Sequence, residues 1–89
     1  MKVRELQALL TECNPDATVL ISGFETTASL WVAEADTVTP CVSVSQPESS
    51  TLGNRKLASD GEASVWIGWR NDYRTNSLLD AVANPEEYD

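Results

Sequence analysis

Apolar residues return along the start of the chain with a helical period. Val3, Leu6, Leu10 and Cys13 stand at i, i+3, i+7 and i+10, and Leu9 widens the stripe. Arg4, Glu5, Ala8, Thr11 and Glu12 fall on the other side. The spacing predicts a helix from Val3 that stops at Asn14-Pro15-Asp16, because the residue before a proline avoids α backbone. No Ser, Thr or Asp precedes Val3 to cap the first turn, so fraying is expected there.

Past Asp16 the period changes to two. Ala17–Ser22 reads as a strand, β-branched and bounded by turn residues, and Gly23 opens a loop through Phe24-Glu25-Thr26-Thr27. In 30–34, Leu30 and Val32 share one face while Trp31 and Ala33 share the other. Asp36 to Pro40 reads as a turn, and Cys41–Ser45 as a strand with Val42 and Val44 inward and the serines outward. Residues 46–61 are polar, with Pro47, Gly53, Gly61 and a Ser-Ser-Thr run, and predict a long loop pinned by Leu52 and Leu57. Ala63–Trp69 is the clearest strand, with Val65, Ile67 and Trp69 on one face. Asn71–Asn76 reads as a loop. Ser77-Leu78-Leu79-Asp80 resembles a capping box and predicts a short helix through Val82 that stops at Asn84-Pro85. Residues 86–89 form an acidic tail.

These elements predict an α+β fold: a three- to four-stranded, mostly antiparallel sheet, an N-terminal helix on one face and a short C-terminal helix. At 89 residues the chain suits one domain, without room for two independent cores. The expected core is Leu6, Leu9, Leu10, Val19, Ile21, Leu30, Val32, Val42, Val44, Val65 and Ile67. One helix covers one sheet face. The other, with Trp31, Ala33, Ser64 and Trp66, needs the C-terminal helix, the long loop or a second copy of the chain, which makes a homodimer one of its three solutions.

Charge changes this picture more than composition does. The net charge is -8, from 6 Lys and Arg against 14 Asp and Glu, with no His. From Glu5 to Asn54 the chain carries Glu5, Glu12, Asp16, Glu25, Glu34, Asp36 and Glu48 and no base at all. Such a field repels nucleic acid, whose binding depends on Lys and Arg displacing counterions. It favours encounter with a basic surface. It also serves solubility. Direct nucleic-acid binding is therefore not expected. A membrane span is not expected either, since no apolar run approaches about 20 residues. The charged start lacks the apolar stretch of a secretory signal, so the expected location is cytoplasmic.

Candidate chemistry is sparse. Without His, Ser-His and Cys-His nucleophile pairs cannot form. Cys13 and Cys41 are far apart with no companion ligands, which disfavours a zinc site; they read as small hydrophobes. Asp60-Gly61-Glu62 and Asn71-Asp72 are too sparse for a calcium loop. No catalytic residue, cofactor or metal is expected. The segment Trp66–Arg74 is richer, with two Trp, one Tyr and two Arg within nine residues, the types that anchor protein interfaces. The candidate binding set is therefore Glu25, Glu34, Asp36 and Glu48 as a carboxylate array with Trp69, Arg70, Tyr73 and Arg74 as anchors. The alternative for the aromatic residues is that Trp69 seals the core edge, Tyr73 packs on it, and the arginines stay solvated.

Val3-Arg4-Glu5-Leu6, Leu9-Leu10, Pro15-Asp16-Ala17 and Val19-Leu20-Ile21 together resemble the opening of small bacteriophage and prophage proteins: a "V-[KR]-E-L" helix, a "P-x-D-A" turn and a first strand. The resemblance covers about a quarter of the chain and brings no catalytic residues with it. It implies a phage or mobile-element protein in a bacterial host cell. By analogy of size, charge and origin, it implies an inhibitor of host machinery of the anti-CRISPR or anti-defence kind, acting on a protein complex with a basic surface. The alternative is a self-associating phage structural or accessory protein.

Overall fold

The computed structural model describes residues 1–23, 30–46 and 53–88. Glu25 and the loop around it, and Glu48 and Leu52, lie outside these residues. The fold is α+β, with two α-helices and five strands in two antiparallel sheets among the described residues. The chain divides into two compact units, Met1–Ala35 and Asp36–Asp89. No helix among the described residues is long and apolar enough to cross a membrane.

The first unit opens with helix α1, Val3–Thr11. Its first turn is held differently from the expected fraying end: the Glu5 carboxylate reaches back to accept from the Lys2 backbone N–H at 3.0 Å. The helix stops where Asn14-Pro15 requires. Asn14 accepts from the Asp16 N–H through its side chain (2.9 Å) and from the Ala17 N–H through its carbonyl (3.0 Å). Strands β1, Leu20–Ser22, and β2, Val32–Glu34, pair with Leu20 opposite Glu34 and Ser22 opposite Val32. The buried residue here is Ala33, on the face opposite Val32. This corrects the expected core: Leu9, Leu10, Val19, Leu30 and Val32 are exposed, and α1 buries none of its residues. Cys13 is exposed as well, and only Leu6 and Ile21 of this unit's expected core are partly covered.

The second unit is built on a three-stranded sheet in the order β4-β3-β5. Strand β3 spans Thr37–Ser45, β4 Arg55–Leu57 and β5 Glu62–Gly68. The expected turn over Asp36–Pro40 is thus largely strand. Proline is tolerated here because β4 pairs only with Ser43–Ser45, so among the described residues the strand has a paired neighbour on one side only around Pro40. The long loop expected over 46–61 contains β4. The four expected strand segments therefore divide between two sheets, and Trp31 and Trp66 do not share a sheet face.

Burial on β3 and β5 is shared between the two faces: of the expected core here, Val42, Val44 and Ile67 are half-buried and Val65 is exposed. Thr37 and Ser43 are buried and Thr39, Cys41, Ser64 and Trp66 half-buried on one face, while Val38 and Val65 on the other are exposed. Hydrogen bonding explains the inward serine. Ser43 and Ser64 join through their hydroxyls at 2.6 Å, and Arg55 donates from Nε to the Ser43 hydroxyl at 2.9 Å and from Nη2 to Glu62 at 2.8 Å. A satisfied buried hydroxyl costs little. Gly68 is required on this face: a Cβ there would stand 2.1 Å from the Trp66 ring. Gly61 is required in the turn from β4 to β5, where a Cβ would stand 2.6 Å from the Ser43 carbonyl oxygen.

Helix α2 spans Tyr73–Ala83, four residues earlier than the Ser77 start that the sequence suggests. Its cap is Asp72, which takes the place of the expected Ser77 box. Thr75 and Ala81 are buried and Leu78, Leu79 and Val82 half-buried, a stripe of helical spacing. The described part of the acidic tail is tied to the helix. Pro85–Glu87 make a 3-10 turn, and the Tyr88 hydroxyl donates to Asp80.

Candidate protein-binding corner

The end of β5, the start of β3 and the start of α2 meet at one corner of the second unit. Asp36 organises it. Its backbone N–H donates to the Gly68 carbonyl at 3.0 Å. Its carboxylate accepts from the Arg70 N–H at 2.9 Å and from the Thr37 hydroxyl at 3.1 Å. The chain leaving β5 is held in turn by the Trp69 carbonyl, which accepts the Asp72 N–H at 3.1 Å and the buried Thr75 hydroxyl at 2.5 Å.

Asp72 then caps α2. It accepts the Arg74 N–H at 2.9 Å and holds the Arg74 guanidinium through both carboxylate oxygens, the closer at 2.5 Å. The Arg74 side-chain bond, reinforced by the Arg74 backbone, holds the Asp72 carboxyl below its ordinary range. The same contact raises Arg74. The Arg74 guanidinium also lies 5.7 Å from the centre of the Tyr73 ring. Tyr73 is 72% exposed, Arg70 is exposed, and Trp69 is half-buried.

Of the candidate residues, the structure brings together Asp36, Trp69, Arg70, Tyr73 and Arg74. Two of them have internal duties. Asp36 fixes the turn, and Arg74 is held by the cap. Trp69 joins the corner through its backbone, and Arg70 and Tyr73 present their side chains outward. Glu34 is exposed at the end of β2 in the other unit. Glu25 and Glu48 lie outside the described residues. Sequence reading missed Asp72 and Thr75. The signal for both was present in the stripe Thr75, Leu78, Leu79 and Val82, which starts three residues after an aspartate.

Elsewhere in this unit a hollow of about 400 Å³ is lined by Val44, Lys56, Ala58, Pro85 and Tyr88 among others. Among the described residues no three His, Cys, Asp or Glu side chains gather as a metal site would require. Comparison with protein-family models, with curated proteins and with solved structures finds no match for the chain.

Proposed function

We propose that this chain is a non-enzymatic, acidic binding protein of the phage type. In this reading it inhibits a bacterial defence complex, or another nucleic-acid-handling host protein, by covering its basic surface. The carrying observation is the stretch from Glu5 to Asn54, with its seven named carboxylates and no base. The ion pairs described, Arg55–Glu62 and Arg74–Asp72, use carboxylates from outside that stretch. Among the described residues no ion pair uses a carboxylate of that stretch, and a basic groove gains on-rate and specificity from such a field. Tyr73 and Arg70 supply the aromatic and cationic contacts that anchor such interfaces.

The test is capture of bacterial lysate proteins on the tagged chain, washed at low and then high salt. A nucleic-acid-handling protein held at low salt and released at high salt is the expected result. Recovery of no such protein, or of one indifferent to salt, contradicts the reading.

A further inference from the structure

The two outer edges of the three-stranded sheet are built differently. The β4 edge is three residues long and carries Arg55 and Lys56, the short, charged form that blunts strand addition. The β5 edge is seven residues long, Glu62-Ala63-Ser64-Val65-Trp66-Ile67-Gly68, with no Pro and no base. Its one charge, Glu62, stands at its first position and is paired with Arg55.

Proline fixes which backbone groups of β5 face outward. Pro40 stands opposite Val65. It has no N–H, so this cannot be a pair that exchanges both hydrogen bonds. Alternation then makes Thr39 with Trp66, and Cys41 with Ser64, the bonded pairs. The Ala58 N–H donates to the Val42 carbonyl at 3.0 Å, which places Val42, opposite Ala63, in the same outward class. Ser64 and Trp66 therefore bond toward β3, and the N–H and C=O groups of Ala63, Val65 and Ile67 point away from it. Among the described residues no backbone bond reaches them.

We propose that β5 is a self-pairing edge, through which two copies of this chain join antiparallel about a two-fold axis at Val65. That register alone pairs the strand over its whole length, since Val65 is its middle residue. It also matches the chemistry. Outward backbone groups meet outward backbone groups: Val65 faces its own copy, and Ala63 faces Ile67. One face of the joint then carries Ala63, Val65 and Ile67 from both copies, covering a Val65 side chain that is 43% exposed in the single chain. Glu62 falls opposite Gly68, which keeps the two Glu62 carboxylates roughly 20 Å apart at opposite ends of the joint. The interface belongs to the small, reversible class. Both copies carry a charge of -8, so salt strengthens their association by screening, the reverse of its effect on a basic partner.

Sedimentation of the full chain from about 10 μM to about 1 mM tests this directly. A monomer–dimer equilibrium that tightens with salt is expected. Val65→Lys and Val65→Glu each place like charges opposite each other on the axis, and each weakens the dimer by about tenfold or more. Mixing the two variants restores a dimer containing one of each. A measurement without any variant accompanies these. Amide exchange at Ala63, Val65 and Ile67 slows as concentration rises, while Ser64 and Trp66 are protected throughout. A wild-type chain that stays monomeric overturns the proposal. So does a dimer that survives Val65→Lys, or a mixture that forms no heterodimer. Low-salt capture of a basic protein is expected to survive Val65→Lys, so failure of the edge and failure of the acidic surface are separately visible.

Discussion

Helices α1 and α2 have similar lengths, nine and eleven residues, and differ in how far each is tied into its own unit. The first carries the stronger amphipathic pattern in sequence, yet only its Leu6 is even partly covered. The second has a weaker pattern, yet buries Thr75 and Ala81 and is tied at both ends, by Asp72 at its start and by Tyr88 to Asp80 near its end. A hydrophobic stripe gives a helix something to bury; capping bonds and a fixed entry to the helix decide where it docks. In the second unit that entry is set by hydrogen bonds from Thr75 and Asp72 to a carbonyl on the turn after β5. In the first unit the bonds at the helix ends are local, from the Lys2 N–H to Glu5 and around Asn14.

The comparison can be broken in order of effect. Gly61→Ala should do the most damage, because the new Cβ meets backbone at Ser43 that cannot move without disturbing the β3–β5 ladder. A loss of about 2–3 kcal/mol in denaturant unfolding is expected. Next comes Thr75→Val. It leaves the shape of a side chain only 2% exposed and removes its bond to the Trp69 carbonyl, for about 1–2 kcal/mol by the same assay. Asp72→Ala should lower the thermal midpoint by less than Thr75→Val does, with the loss confined to the start of α2 in amide exchange. Leu9→Ser and Leu10→Ser in α1 should change stability by under about 0.5 kcal/mol, as surface substitutions do. A cost of about 2–5 kcal/mol at Leu9 or Leu10, the range for buried leucines, would show that the two helices are not different in kind.

Titration sharpens the same contrast with the smallest effects. The Asp72 carboxyl is held below its ordinary range by Arg74, so its contribution is present above about pH 4 and is lost as pH falls through the folded-state value. The Tyr88 hydroxyl is raised, first by its hydrogen bond to Asp80, so its contribution is present below about pH 10 and is lost as pH rises through the folded-state value. Asp72→Asn should flatten the acid limb of stability against pH, and Tyr88→Phe the alkaline limb. Unchanged limbs would remove these contacts from the account.

Element type was more legible in the sequence than burial. Asn14-Pro15 and Asn84-Pro85 stop both helices because a residue before proline leaves α backbone, a local rule. Strand β5 was legible from its β-branched and aromatic run. Its buried face was not, because both faces of Ala63–Trp69 carry large apolar side chains, and the choice fell to Trp66 lying over Gly68 and to the Ser43–Ser64 hydroxyl pair. Pro40 reads as a turn residue in one dimension; only the short β4 makes the strand one-sided there. At the candidate corner the residue types were legible and their duties were not. Asp36 and Arg74 look like contact residues in sequence. In the fold Asp36 also holds a turn and Arg74 also engages the cap, while both stay exposed beside the outward Arg70 and Tyr73.

The claim that carries the functional reading is that the carboxylates themselves are recognised. The direct measurement reverses Glu25, Glu34 and Glu48 to Lys together, leaving Asp36 in place because it holds the turn after β5. Capture of the basic partner at low salt is then compared between this variant and the unaltered chain, with far-UV circular dichroism confirming equal folding. The account predicts that capture is lost with folding intact. Undiminished capture by the reversed variant would contradict it.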